Sequence, residues 1–393
     1  MAATAARNRR RRVELPGPLS GRHDGLVLTL LRDRGPLSRS EIAEISGLSP
    51  TTVTKAVAPL VTAGYVEEGA APGGARIGRP AVALHLRSET LAVCGIQIGV
   101  GTAQAAIVDG LGRVVEQTVF TFDDGLPQDE ALRSIARRVD EDLLGAHDPV
   151  AVGVAAPGVV EPDGRTNSLS LNLGWSDAPV ADIVEAELGL PVIAEHNVSA
   201  MALAESRFGA RASSLAFVYV KTGVGLGLVL RGEPFLGGRH GVSELGHVHV
   251  SDTGEPCTCG STGCLEAVVA EPALTRALAA IPGSEGENPL RRMEEHAPQD
   301  PAVAELLRRT VDDLSIGLAA AVNLLGPELV VVGGILDGAS DELLERLDLA
   351  TRARVFPLLR ETLLLARPTF GSASGVVGAA AVALERFVYS VRG

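Results

Sequence analysis

Three of the four cysteines fall within eight residues, Cys257-Thr258-Cys259-Gly260-Ser261-Thr262-Gly263-Cys264, and His247 stands ten positions before the first of them. Three thiolates and one imidazole at this spacing make a complete tetrahedral shell for Zn2+. A chain carrying that set must fold residues 247–264 into a closed loop. Four protein ligands leave no open coordination position, so the ion implied is structural rather than catalytic. A disulfide reading is weaker, because it leaves one of the three clustered cysteines unpaired. Cys94 lies in an apolar stretch and reads as core filler.

The chain has 393 residues, enough for about two or three domains. Apolar residues make up 46% and aromatic residues only 3%, so the core must be built from Ala, Val, Leu and Ile. The net charge of -13 argues by itself against a nucleic-acid binder. The charge is uneven, however. Residues 1–86 hold twelve Arg and Lys against seven Asp and Glu, a balance of +5 that leaves -18 on the rest. A small basic head on an acidic body suits local contact with DNA. Arg7 and Arg9 to Arg12 are not followed by an apolar stretch of the secretory kind. The most membrane-like segment, Ile316 to Ile335, is interrupted by Asn323, Pro327 and Glu328, and reads as a buried helix, a turn and a buried strand. The expectation is a cytoplasmic protein without a membrane partner.

Residues 1–20 are rich in Ala, Arg and Pro and read as a disordered basic arm. Residues 21–86 form a compact unit, and a short linker around 85–90 leads into a body over 87–393. The body opens with three strands, Leu91–Ile98, Ala103–Asp109 and Arg113–Val119. Buried strands then alternate with helices: Val150–Ala155, Pro191–Ala194, Leu215–Thr222, Gly225–Leu230 and Leu329–Val332 among the strands, and Gln128–Leu144, Ala200–Phe208 and Ala302–Leu325 among the helices. Such alternation predicts an α/β body.

In the head, Leu26, Val27, Leu30 and Leu31 share one face of a helix over Asp24–Arg34. Ser38 and Glu41 form a capping box before a second helix, Glu41–Ser46, which Gly47 ends. Ser49 caps a third helix with Pro50 at its first position, and Gly64 closes it. Two short helices joined by a tight turn, the second rich in small polar residues, make a helix-turn-helix. Ser49, Thr51, Thr52, Thr54 and Lys55 would face base edges and phosphates of double-stranded DNA, while Val53, Val57 and Leu60 face the core. Pro59 predicts a kink or an early end to that helix. Tyr65–Glu68 and Ala81–Leu84 would pair around a glycine-rich tip carrying Arg76 and Arg79, a wing suited to a minor groove. The unit is thus expected to be a winged helix-turn-helix.

The signature Glu244-Leu245-Gly246-His247 followed by Cys257-x-Cys259-Gly260-x-x-Gly263-Cys264-x-Glu266 resembles that of the ROK family, which groups bacterial sugar kinases with sugar-responsive repressors. Ala156-Pro157-Gly158, Asn172-Leu173-Gly174-Trp175, Gly223-x-Gly225-x-Gly227, Gly333-Gly334 and Gly378-Ala379-Ala380 add to the likeness, which spans residues 91–393. The winged head extends it to the repressor members, such as the xylose-responsive ones. The resemblance implies a two-lobed fold of the actin-like, sugar-kinase type (ribonuclease H-like) with a ligand in the cleft. It places Glu244, His247 and Glu266 near sugar hydroxyls, with His247 also on the zinc, and brings Asn172, His196 and Asn197 to the same ligand.

The kinases of this family end their first strand in Asp-x-Gly, where this chain has Gln97-Ile98-Gly99. They carry Glu-Asn-Asp-x-Asn where this chain has Glu195-His196-Asn197-Val198-Ser199. The base position is therefore Asn197, an amide that cannot take a proton near neutral pH. The reading is a transcriptional regulator of carbohydrate genes, most simply a repressor. A homodimer or homotetramer would bind a two-fold operator, and a sugar or sugar derivative would control it from a catalytically inactive cleft. The rivals are an active sugar kinase with an attached DNA-binding head, a regulator that senses a protein partner, and a zinc-bearing dimerisation scaffold with an empty cleft.

Overall fold

The structure is a computed structural model and describes residue 19 and residues 23–70, 82–238, 241, 243–279 and 288–390. The head contains α1 (Asp24–Arg34), β1 (Leu37–Ser38), α2 (Arg39–Ser46), α3 (Pro50–Thr62), β2 (Val66–Ala70) and β3 (Val82–Leu86). The Ser38–Glu41 capping box forms in both directions, and the Ser49 side chain accepts from the Thr52 amide at the start of α3. Helix α3 runs through Pro59 to Thr62 instead of ending early. Val53, Val57 and Leu60 are fully buried along its length, and that packing outweighs the one hydrogen bond a proline removes. Strands β1 and β2 flank β3 as an antiparallel sheet. The expected linker is ordered structure. β3 extends to Leu86, the Arg87 amide donates to the Tyr65 carbonyl, and a 3-10 turn at Ser88–Leu91 follows, with Thr90 Oγ1 donating to Gly64.

The body has two lobes built on one plan. The first contains β4 (Val93–Ile98), β5 (Thr102–Val108), β6 (Val114–Thr121), α4 (Gln128–Val139), β7 (Val152–Ala156), β8 (Val159–Val160), β9 (Asn167–Ser170), β10 (Trp175–Ala178), α5 (Val180–Leu188), β11 (Val192–His196) and α6 (Asn197–Arg207). The second contains β12 (Leu215–Val220), β13 (Val224–Leu230), β14 (Glu233–Pro234), α7 (Leu265–Val269), α8 (Glu271–Ala279), α9 (Pro289–His296), α10 (Pro301–Leu325), β15 (Leu329–Gly334), α11 (Asp341–Arg354), α12 (Pro357–Thr362), β16 (Leu364–Ala366) and α13 (Ser374–Phe387). The sheet orders are β11-β7-β4-β5-β6 and β14-β13-β12-β15-β16. Each is an antiparallel meander extended beyond its first strand by two parallel strands in succession. This repeated plan is the actin-like, sugar-kinase type of fold. The expected helix over Gln128–Leu144 divides into α4 and a π turn at Asp140–Leu144.

Helices α6 and α13 lie between the two sheets. α6 packs Val198, Met201 and Ala202 on Phe217 and Val229 of the second sheet. α13 lies so close to the first sheet that a Cβ added at Gly95 would overlap the Val376 carbonyl, and one at Gly153 the Ala379 carbonyl. The other face of the first sheet is covered by α4 and α5, and the second sheet by α7 to α11. Among the described residues no helix is long and apolar enough to cross a membrane.

Candidate functional site

Two surfaces carry the sequence-predicted residues. On α3, Thr51, Thr54 and Lys55 are exposed and Thr52 is half-buried. The Ser49 and Thr52 hydroxyls bond each other at 2.8 Å, and Thr54 Oγ1 donates to the Pro50 carbonyl at 2.9 Å. These hydroxyls therefore serve the helix first. Thr51 and Lys55, four residues apart, share one outward stripe. Arg39 of α2 pairs with Glu68 of β2 at 2.6 Å and braces the helices against the sheet. Arg76, Arg79 and the arginines of the basic arm lie outside the described residues.

The second surface is a cleft of about 710 Å³ between the lobes. Parallel strands β4, β7 and β11 all end at its first-lobe wall, and β12 and β15 end at the opposite one. Ligand sites of open α/β sheets lie at such carboxyl ends. Asn172, His196, Asn197, Glu244, His247 and Glu266 all line it, with Gln97 beside them. The turn after β11 sets His196 and Asn197 at the start of α6. His196 Nδ1 lies 3.2 Å from Ser199 Oγ. Burial pulls its pKa down to about 4, so the ring is neutral near pH 7 and can act as donor or acceptor. The neighbouring Glu195 carboxyl, also buried, is held above the usual carboxylate range and accepts from the His196 amide. Asn197 Oδ1 accepts from the Val198 amide, which leaves the NH2 group as the free end of that side chain. Gln97 Oε1 is buried without a partner, and its amide fills the space a Cβ at Gly375 would take.

Glu266 is tied to protein on both oxygens. It accepts from the Val224 amide at 3.0 Å and from Thr258 Oγ1 at 3.3 Å. It thus joins the cysteine loop to the glycine turn, and a Cβ at Gly223 would overlap its carboxylate. Gly225 and Gly227 are needed for a different contact. Side chains there would overlap Val198 at the start of α6, so those glycines seat the helix.

His247, Cys257, Cys259 and Cys264 place their ligand atoms within 4.8 Å of one another. Cys259 and Cys264 sulfurs are 3.8 Å apart, close to the edge of about 3.8 Å that a tetrahedron with 2.3 Å metal–sulfur bonds requires. His247 turns Nδ1 to Cys257 Sγ at 3.5 Å and Nε2 toward Glu244 at 4.0 Å. His249 braces the loop through the Thr262 carbonyl and Asp252. Burial and the neighbouring Cys257 and Cys259 push the Cys264 thiol up to about 11. A bound cation would reverse this, since a coordinating thiol ionises outright. The donor set, spacing and geometry fit a thiolate-binding metal.

The lining of the cleft also includes residues that sequence reasoning missed, Lys221, Glu271 and Asp337. Lys221 pairs with Glu271 at 3.1 Å. Asp337 has one carboxylate oxygen buried without a partner, and burial raises its pKa. These three come from distant positions, and no local pattern joins them.

Comparisons with known proteins agree with this architecture. The pattern of the ROK family matches residues 93–386, and that of the winged helix-turn-helix DNA-binding family matches residues 22–67. A putative xylose repressor of Caldicellulosiruptor sp. (strain Rt8B.4) is 28% identical over 349 residues, covering 84% of this chain and 87% of that protein. The crystal structure of a ROK family transcriptional regulator, a homologue of the E. coli MLC protein, superposes with a TM-score of 0.80 at 24% identity, over 94% of this chain and 96% of that one. A ROK family glucokinase from Streptomyces griseus, in complex with glucose and AMPPNP, gives a TM-score of 0.65 at 27% identity, over 74% of this chain and 98% of that one.

Proposed function

The chain belongs to the ROK family, and from that premise we propose that it is a DNA-binding transcriptional regulator of carbohydrate genes whose cleft binds a sugar or sugar derivative without phosphorylating it. One observation carries the reading: a winged helix-turn-helix with an exposed Thr51–Lys55 stripe is fused to a sugar-kinase-type cleft that holds Gln97 and Asn197 at its charge-handling positions. Neither amide can accept a proton in a phosphoryl transfer. The similarity to a xylose repressor supports a pentose or hexose as effector. The protein acts in the cytoplasm, as a homodimer or homotetramer whose two heads read the half-sites of a palindromic operator.

In this reading Thr51 and Lys55 meet the major groove, Ser49, Thr52 and Thr54 shape the helix that presents them, and Arg76 and Arg79 meet the minor groove. Asn172, His196, Asn197, Glu244, His247 and Glu266 surround the effector. His247, Cys257, Cys259 and Cys264 hold one structural Zn2+, which when bound fixes the loop and leaves His247 Nε2 facing Glu244 and the cleft.

The test is operator binding by the purified chain, on DNA upstream of its own and neighbouring genes, with and without D-xylose, D-glucose and N-acetylglucosamine. Specific binding that one sugar alters is expected; no specific binding to any fragment sinks the reading. Lys55→Ala is expected to weaken operator binding by about 1–3 kcal/mol, or roughly 5- to 150-fold, with no change in melting temperature. Unchanged affinity would move the contact elsewhere. A coupled assay of ATP consumption with the same sugars is expected to stay at its blank rate. Sustained sugar-dependent turnover would instead make the chain a kinase.

A further inference from the structure

The head is not hung on a free linker. Its α1 packs Val27, Leu28 and Leu31 into the same core as Ala380, Ala383, Leu384, Val388 and Tyr389 at the end of α13. Backbone contact is close enough that a Cβ at Gly25 would overlap the Ser390 carbonyl, and Thr29 Oγ1 donates to Tyr389. At the centre of this junction is Arg32, whose side chain is only 4% exposed. Its guanidinium donates to Glu385 of α13 at 2.6 Å and sits over the Tyr389 ring at 4.4 Å. It also lies 5.7 Å from the ring of Phe208, the residue after α6, and Glu385 in turn pairs with Arg207 of α6 at 3.3 Å. One head residue is therefore gripped by groups at the carboxyl ends of both helices between the lobes.

The other ends of those helices are in the cleft. Asn197 begins α6, Ser374 and Gly375 begin α13, and all three line the cavity. The two helices run parallel, from cleft to head, over 11 and 14 residues, or about 16 and 21 Å. In chain order α6 closes the first half of the body and α13 the second, but each packs on the sheet of the other half: α13 lies on β4 and β7, and α6 on β12 and β13. Their contact is made of small side chains, Ala200 and Ala204 against Val377 and Ala381, and a Cβ at Gly378 would come within 2.8 Å of the Ala200 backbone. A smooth, close interface of this kind accommodates shear, the sliding of packed helices by which two lobes close.

We propose that Arg32 reads the closure of the cleft. When the lobes close, α6 slides on α13, Arg207 and Phe208 shift against Glu385 and Tyr389, and Arg32 carries that shift into α1 and the DNA-reading helix. This proposal rests on the regulator reading and names its route. An effector acts through it only by favouring one lobe arrangement over the other.

The test perturbs the cleft end and reads the head, in the full chain and without any effector. Gly375→Ala displaces Gln97 and wedges the first turn of α13. Gln97→Ala perturbs the same contact from the other side, should the first variant not fold. Amide hydrogen exchange in α1 and affinity for the operator fragment are measured with Arg32 and with Arg32→Ala. The cleft change is expected to alter both readouts by about threefold or more when Arg32 is present, within the range of mutational couplings, and to leave both unmoved when it is absent. Equal effects in the two backgrounds overturn the proposal. If the wild type binds no fragment, the regulator reading falls, and the exchange measurement alone decides whether Arg32 links cleft to head.

Discussion

Cys264→Ala is expected to abolish binding of the proposed metal and to lower the stability of the protein by about 3–5 kcal/mol, a fall of roughly 10 °C in melting temperature. Cys264 is both a ligand and a fold element. It is buried, it caps α7, and it bridges to His249 across the loop. Without an ion, the ligand atoms of His247, Cys257 and Cys259 are held within 4.8 Å of one another only by the hydrogen bonds of the loop. The damage reaches the cleft because Glu266 connects Thr258 of the loop to Val224 of the glycine turn. Cys259→Ala, at an exposed position, should lose the same ion with a smaller fall in stability. Metal analysis and thermal denaturation of the wild type and both variants check this. A wild-type chain purified without stoichiometric zinc, or a Cys264→Ala chain that keeps it, would refute the assignment.

Gly153→Ala is expected to cost about 3 kcal/mol or more, although it adds one methyl group in the middle of a strand. Glycine normally weakens a strand interior, so alanine there would ordinarily help. Here the new Cβ would overlap the Ala379 carbonyl, lie 2.7 Å from its carbon and come within 3.3 Å of Ala383 Cβ. The obstruction is backbone, so no side-chain rotation relieves it and α13 must move off the sheet. Gly125→Ala, in an exposed loop where the nearest group is an Asp123 oxygen at 3.3 Å, should change stability by less than about 0.5 kcal/mol. Urea denaturation of both variants decides the matter. If Gly153→Ala is as stable as wild type, α13 does not bear on β7 as described.

These examples show which parts of the molecule a one-dimensional reading reaches. The head was legible because its signals are local: Ser38 and Glu41 are three residues apart, and Ser49 stands beside Pro50. The opening meander was legible from its apolar pattern, and the clustering of His247 with three cysteines from cysteine spacing. Pro59 does not end α3, because the burial of Val57 and Leu60 outweighs a lost hydrogen bond. The order of the linker was not legible, because Arg87 and Thr90 bond back to the distant Tyr65 and Gly64. Nothing in the sequence pointed to Lys221, Glu271 and Asp337 as neighbours, nor to Arg32 and Glu385, which are 353 residues apart. The role of Gly153 was equally hidden, because what demands it is a helix that begins 221 residues later.

The junction of α1 with Tyr389 also bears on synthesis. A ribosome makes the DNA-reading unit first, and domains usually fold as they emerge. This one has part of its core supplied by Leu384, Val388 and Tyr389, which are made long after it. The head core therefore stays incomplete until α13 has been made, and chains that stop short of α13 are expected to bind operators poorly. A chain ended at residue 370 that still bound the operator fragment as tightly as the full protein would show the head to be self-sufficient.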